Sequence, residues 1–531
     1  MSLRAISLGL AILTLLSGAP AGALETLRRG NMAEPDTLDP QASASTWEHA
    51  ILADLFLGLT TENMHGEPIP GAAERWDVST DALTWTFHLR PNLKWSDGAP
   101  LKASDAVFGF RRLFDPKQAA KYASLYYIIK NAEGVNAGKM PLEKLGVCAV
   151  DDRTVEITLE APAPYLPGLL SSPQAYPVPQ HAIAKHGEAW TRDTNMVSSG
   201  AFKLTLWRPH DQVRAVKNPL FYDAANVRLD EVIYYPIDDE TVALTRFRAH
   251  EIDGNYGTRG FPINQLDWLK ANMPGVAHIT TALALEYMVP NFRRPPFNDA
   301  RVRRAISLCV DRETVANKVM RDGRVPAHAI VPPGTANARA TARLSFADWP
   351  MDKRRAEAKR LLADAGFTAD RPLTFEYVHM TGHDARRSII SEVAMLKDCG
   401  IIARTLANEP KVHYAMFHQF DFSFAKSAWR ADFNDPQTFL GLLDSRAGAF
   451  NSGGYVNPAF DALLDRARIT LDLGKRAELL AEAEQIALND DAFIPVMYMV
   501  AKELSAPYVK GFAGNVTDMH PSRWMWIEGR P

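Results

Sequence analysis

Hydrophobic and polar side chains alternate in two stretches of the first third of the chain. The first runs from residue 83 to 89, and the second places Val155, Ile157 and Leu159 on one face. A period of two predicts half-buried β-strands. Shorter strand-like segments follow at residues 202–204 and 232–235.

Other segments of the chain have the residue spacing or composition of α-helices. Ser104 precedes an apolar face that includes Val107, Phe110 and Leu113, so we predict that Ser104 caps a helix ending before Pro116. Residues 356–365 and 475–488 are rich in helix formers, and Gly366 closes the first of these stretches. A proline-rich segment at residues 162–179 should be irregular. The interleaved strands and helices predict an α/β fold.

Composition narrows the class of protein. The chain has 531 residues, 47% of them hydrophobic and 23% charged, which excludes wholesale disorder. This length suggests several domains of about 150 residues each. The net charge of −3 argues against a nucleic-acid binder, which would carry a basic excess.

The N-terminus has the pattern of a secretory signal. Arg4 precedes an apolar run at residues 5–16, and a small-residue segment ends in Ala-x-Ala at Ala23, with Ala21 nearly as good a cleavage point. The run is shorter than the roughly 20 residues of a membrane-spanning helix, so an uncleaved anchor is the less favoured alternative. We expect residues 1–23 to be removed, and no lipid anchor, because no cysteine follows the run.

Motifs of catalysis and metal binding are missing from the sequence. There is no nucleophile elbow, phosphate loop, dinucleotide fingerprint or H-E-x-x-H. His379 and His383 lie four residues apart, but Thr381-Gly382 favours a turn between them and no further ligand completes a metal set. We therefore expect no catalytic residues, no cofactor and no metal. An exported hydrolase with unrecognised carboxylates remains the alternative.

The three cysteines are Cys148, Cys309 and Cys399. One disulfide is possible, and their spacing fits no zinc pattern. We favour buried free thiols.

Ordered sequence blocks carry a resemblance to a known family. The chain resembles the periplasmic oligopeptide-binding proteins of peptide ABC transporters, which belong to the family 5 extracellular solute-binding proteins. The matching blocks occur in the family's order and lie at residues 34–40, 54–59, 71–98, 218–219, 296–303, 365–367 and 429–436.

This resemblance implies a two-lobed periplasmic-binding-protein fold with an additional domain, three domains in all, that closes about a hinge. Domain I would comprise residues 24–66, 190–285 and 500–531, domain II residues 67–189, and domain III residues 286–499.

The implied function is that of a periplasmic monomer that binds short peptides in the cleft and delivers them to an inner-membrane ABC permease with its ATPase subunits. Alternative ligands within the family are a dipeptide, a cell-wall peptide, an opine, a sugar or a metal complex.

The resemblance also implies site residues. Asp432 would bind the ligand's ammonium group, and Trp429 would form an apolar cleft wall. Tyr122 would reach the ligand from domain II and Tyr256 from domain I, with Tyr287 a weaker candidate. The alternatives are that Asp432 caps a local backbone group and that the tyrosines belong to the core.

Three positions depart from the family pattern. Ala44 stands where an acidic residue is common, Arg430 replaces a small residue, and Lys426 stands where some members have arginine. If Arg430 and Lys426 face the cleft, they favour ligands with a carboxylate nearby. Otherwise, both are solvated surface residues.

Overall fold

A computed structural model describes residues 24–257 and 259–531, so the predicted signal segment lies outside the described residues. No helix in the described part of the chain combines the length and the apolar character needed to span a membrane.

Strands occur along the whole described chain and mix with helices, which confirms the α/β prediction. The strands are β1 (Thr26–Gly30), β2 (Thr60–Glu62), β3 (Pro68–Pro70), β4 (Ala73–Val78), β5 (Thr84–Leu89), β6 (Val147–Asp151), β7 (Thr154–Thr158), β8 (Phe202–Arg208), β9 (Gln212–Lys217), β10 (Glu231–Tyr235), β11 (Gly254–Asn255), β12 (Ala277–Pro290), β13 (Val325–Pro326), β14 (Leu373–Met380), β15 (Ile401–Asn408), β16 (Phe424–Arg430), β17 (Ile494–Ser505), β18 (Val509–Lys510) and β19 (Trp526–Ile527).

The helices vary from one turn to seventeen residues. They are α1 (Thr46–Leu55), α2 (Ala103–Phe114), α3 (Ala132–Asn136), α4 (Leu166–Leu169), α5 (Gln180–His186), α6 (Glu240–Arg248), α7 (Leu266–Asn272), α8 (Ala300–Cys309), α9 (Met351–Asp364), α10 (His383–Asp398), α11 (Pro410–His418), α12 (Gln437–Leu440), α13 (Pro458–Ile469) and α14 (Leu473–Asn489). A π-helical segment covers Thr314–Met320.

Most local predictions are confirmed. The alternating stretches form β5 and β7, whose inward side chains are buried, and the helix formers lie within α9 and α14. The capping prediction for Ser104 is wrong, because α2 begins at Ala103. The carboxylate of Asp105 instead accepts a hydrogen bond from the backbone N–H of Lys102 at 2.9 Å.

Two hydrophobic cores share one large sheet. The first core extends from Leu27 to Val276 and resumes at Leu504, and the second extends from Leu283 to Tyr498 with Val516 added. The eleven-stranded sheet follows the order β15-β14-β16-β12-β17-β11-β1-β10-β9-β8, with β13 beside β17. The antiparallel pair β12 and β17 therefore joins the two cores. We call the part of the protein built around the first core the first lobe, and the part built around the second core the second lobe. A separate sheet, β4-β5-β7-β6, packs in the first lobe.

The ladder between β12 and β17 is irregular where the cores meet. Its register shifts between Thr281 and Leu285, where a bulge interrupts the pairing. The N–H of Leu283, inside this bulge, donates to the carbonyl of Val516 at 3.0 Å. The predicted domain boundaries at 285/286 and 499/500 lie beside this bulge. The domain boundaries given in the sequence analysis all remain predictions.

The prediction of three buried free thiols is wrong. Cys309, at the end of α8, forms a disulfide with Cys399, just after α10. Only tertiary packing brings these residues together, because 90 positions separate them. Cys148 is a free thiol, but it is exposed on β6.

We predict that the disulfide stabilises the second lobe. Replacing Cys309 and Cys399 together with alanine should lower the free energy of unfolding by about 2–5 kcal/mol, because a closed loop of this length restricts the unfolded chain. Urea denaturation of the unliganded protein measures the change. Cys148→Ala is the matched control and should stay within about 0.5 kcal/mol of wild type. Equal losses in the two variants would contradict a stabilising disulfide.

Candidate functional site

Asp432 lies just beyond the end of β16, in a segment that hydrogen bonds hold on both sides of the residue. The N–H of Ala431 donates to the carbonyl of Leu283 in the bulge at 2.8 Å, and the N–H of Asp432 donates to the hydroxyl of Thr438 at 3.3 Å. Asn434 accepts a hydrogen bond from the N–H of Ala336 at 2.7 Å. The first two bonds fix the backbone at and just before Asp432, and the third holds the side-chain amide of Asn434 after it.

The carboxylate of Asp432 has no hydrogen bond or ion pair with any residue in 24–257 and 259–531. Solvent reaches the side chain, yet the surrounding protein desolvates it enough to raise its pKa to about 6. The alternative that Asp432 caps a local backbone group is therefore wrong. Asp435 has that role, since it accepts a hydrogen bond from the N–H of Gln437 at 2.9 Å.

Tyr122 approaches Asp432 from the first lobe. It lies directly before the 3₁₀ turn Ala123–Tyr126, and its side chain is half-buried. Desolvation and the negative charge of Asp432 both raise the pKa of its phenol. Two predicted site residues from different lobes therefore lie close together. The ring of His49 lies edge-on to Tyr122, with 6.5 Å between the ring centroids.

Trp429 and Arg430 end β16. The indole of Trp429 is half-buried, donates to the Thr438 hydroxyl at 3.2 Å, and meets the ring of Phe450 edge-on at 6.4 Å. Phe450 itself is 62% exposed. The side chain of Arg430 is exposed and has no hydrogen bond or ion pair within the described chain. Whether Arg430 meets the ligand stays a prediction.

Lys426 does not line the cleft, and it is not a solvated surface residue. Its ammonium group is buried 2.6 Å from Glu392 and 3.3 Å from Glu286, and it also donates to Ser388. Phe424, Ala425 and Lys426 are all buried at the start of β16, and two carboxylates compensate for the burial of the Lys426 charge.

Tyr256 and Tyr287 are buried in the hydrophobic cores. Tyr256 is 4% exposed and stacks on Phe512 in the first lobe. Tyr287 is equally buried and packs on Phe493 in the second lobe. This burial agrees with the core alternative for both tyrosines, and their ligand contacts stay a prediction.

Ala44 lies in a loop that another acid organises. The N–H groups of Ala44 and Ser45 donate to one oxygen of Glu48 at 2.8 and 2.9 Å, while Asp36 and Thr37 donate to the other.

Residues that sequence reasoning missed include His49, Thr438 and Phe450. His49 and Phe450 approach the site only through tertiary contacts. Thr438 lies close in sequence, but nothing in the sequence marks its hydroxyl as shared.

The lobes touch beside the Asp432 segment. Phe433 stacks on Tyr165 of the first lobe with 4.5 Å between ring centroids, and Asn434 donates to the carbonyl of Gly66 at 2.9 Å. Both Tyr165 and Asn434 also line a cavity of about 440 Å³ between the lobes. Asp432, the predicted ligand anchor, is thus next to two residues that contact the other lobe.

One group in the described chain has the composition of a metal site. Glu503, Asp518 and His520 bring three potential ligand atoms within 4.8 Å of one another. The neighbouring carboxylates outweigh desolvation and raise the pKa of His520 to about 9, so the imidazole is protonated at neutral pH and pairs with Glu503. In this state the group is a buried ion cluster beside β12.

The two histidines considered from the sequence as a metal pair, His379 and His383, do not share a helix. His379 lies in β14, and His383 begins α10.

Comparisons with known proteins agree with this architecture. The family model for bacterial extracellular solute-binding proteins, family 5 middle part, matches residues 67–451. The periplasmic oligopeptide-binding protein OppA of Salmonella typhimurium is 39% identical over 494 residues, which cover 92% of this chain and 90% of OppA. The probable deoxycholate-binding periplasmic protein YgiS of Escherichia coli is 37% identical over 503 residues, covering 93% and 92%.

A solved structure extends the similarity to three dimensions. The unliganded open form of the periplasmic murein tripeptide-binding protein MppA superposes with a TM-score of 0.89 at 31% identity, covering 96% of this chain and 99% of that one. The predicted multi-domain binding-protein fold is thereby confirmed. The chain belongs to family 5 of the bacterial extracellular solute-binding proteins.

Proposed function

We propose that this protein binds short peptides between its lobes in the periplasm and delivers them to an inner-membrane ABC permease with its ATPase subunits. The observation that carries the proposal is the carboxylate of Asp432, which is partly desolvated, free of protein partners in the described chain, and close to Tyr122 of the other lobe. A peptide's ammonium group is a fitting partner, because a partly desolvated carboxylate gains from a charge-assisted hydrogen bond.

Peptide-binding relatives support this ligand class, since OppA and MppA are named for oligopeptides and a murein tripeptide. Trp429 and Phe450 supply apolar ring surface beside the anchor. The other family ligands remain alternatives, and the name of YgiS adds a bile acid, which has no ammonium group. Comparing a free peptide with its N-acetylated form separates these classes.

We propose that the protein is not an enzyme and acts as a monomer. Membership of a solute-binding family supports a carrier role. Incubation with a bound peptide distinguishes the two activities, because a carrier returns the peptide intact and a hydrolase releases fragments.

Replacing Asp432 with asparagine should weaken peptide binding about 100-fold or more. The change keeps the shape but leaves the ligand's ammonium without an ion partner, at a cost of roughly 3–5 kcal/mol. Isothermal titration calorimetry measures the affinity, and Asp370→Asn, at an exposed position, is the control.

The melting temperature of the unliganded variant should not fall. The pKa of Asp432 is raised in the folded protein, so its ionised form opposes folding near neutral pH and its removal costs no stability. Unchanged affinity in Asp432→Asn would remove Asp432 as the anchor.

Affinity should depend on pH through Asp432. Below its pKa of about 6 the unliganded carboxyl is protonated, and each unit of further acidification should weaken binding by up to about tenfold. Above about pH 8 the peptide's own amino terminus loses its proton, so affinity should fall again. Calorimetry from pH 4.5 to 9 tests this profile. Asp432→Asn should lose the acidic limb, and an identical acidic limb in that variant would assign it to another group.

The lobes should close on the ligand. The similarity to an open, unliganded structure indicates that the described arrangement is open. A ligand can favour closure only by binding the closed state more tightly. Small-angle X-ray scattering should therefore show a smaller radius of gyration with saturating peptide. An unchanged radius would argue against closure while leaving peptide binding intact.

A further inference from the structure

The hydroxyl of Thr438 is shared by two residues of the proposed ligand site. It accepts a hydrogen bond from the indole N–H of Trp429 at 3.2 Å and another from the backbone N–H of Asp432 at 3.3 Å. A hydroxyl oxygen has two acceptor lone pairs, so these two donors use its full accepting capacity. The side chain of Thr438 is buried at 6% exposure. One atom thus connects the cleft wall to the anchor segment.

Thr438 is itself rigidly placed. It lies in the short helix α12, which follows Asp435. The carboxylate of Asp435 forms a buried two-point ion pair with Arg476 of α14, with both N–O distances at 2.7 Å. The bidentate geometry fixes direction as well as distance. The α12 turn is therefore fastened to a long helix of the second lobe.

The contacts around Asp432 hold its backbone and leave its carboxylate open. The N–H groups of Ala431 and Asp432 both donate hydrogen bonds within the protein, while the carboxylate oxygens accept none from residues 24–257 and 259–531. Fixing a binding group before the ligand arrives reduces the entropy lost on binding. Resting on the function proposed above, we propose that Thr438 is a positioning residue, which holds the Trp429 ring and the Asp432 backbone so that the anchor points into the cleft.

A pair of substitutions isolates the hydroxyl. Thr438→Val keeps the branched shape but removes the acceptor, whereas Thr438→Ser keeps the acceptor and loses only a methyl group. Losing two hydrogen bonds should weaken binding of a tripeptide pool with free amino termini by about tenfold in Thr438→Val. Thr438→Ser should stay within about threefold of wild type.

The preference of the protein for peptides with a free amino terminus distinguishes a positioning role of Thr438 from a general disturbance of the structure. The same tripeptide pool, N-acetylated, lacks the ammonium that Asp432 would bind. Thr438→Val should lower the ratio of free to acetylated affinity, because the anchor is misplaced. Equal weakening of both pools, or an equal loss in Thr438→Ser, would overturn the proposal.

A ligand-free measurement keeps the two proposals distinguishable. Hydrogen exchange of the Trp429 indole N–H, assigned by NMR with Trp429→Phe, should quicken in Thr438→Val and stay near the wild-type rate in Thr438→Ser. If wild type binds neither pool, the proposed function fails, and this exchange still decides whether the hydroxyl holds the indole. Unchanged exchange in Thr438→Val would refute the positioning role whatever the ligand.

Discussion

The structure depends on the pairing of two long strands, β12 and β17, which pass from one hydrophobic core into the other. A hydrogen-bonded ladder resists stretching and shear, but it can bend and twist where its register is interrupted. The bulge near Leu283 supplies that interruption where the cores meet. The lobes are therefore joined at a defined place, and a hinge motion there would leave both cores packed.

The proposed binding segment is built directly onto this junction. The carbonyl of Leu283, within the bulge, accepts the hydrogen bond from Ala431, one residue before Asp432. On the other side of Asp432, Phe433 and Asn434 contact the first lobe. A ligand that fixes Asp432 would act on a segment already connected to the bulge in the β12–β17 ladder and to both lobes. This gives a short physical route from ligand binding to lobe position.

The buried charged side chains near the proposed site differ from Asp432 in having partners of opposite charge. Lys426 and Arg476 are buried, but each pairs with carboxylates in the protein, so their charges are satisfied internally. The surrounding protein partly desolvates Asp432, which has no such partner in the described part of the chain, and its pKa rises accordingly. This difference distinguishes Asp432 from the neighbouring Asp435, which is paired with Arg476, and it is the reason for proposing Asp432 as the ligand anchor.

The sequence by itself determined the α/β class, the main strands and helices, and the resemblance that led to Asp432, Trp429 and Tyr122. These features depend on local periodicity or on blocks of adjacent residues, which can be read along the chain. Only the tertiary structure decided that Cys309 bonds to Cys399, that Lys426, Tyr256 and Tyr287 are buried, and that Thr438 connects Trp429 to Asp432. Side-chain direction, burial and pairing depend on residues distant in sequence, because packing of the complete fold sets which groups meet.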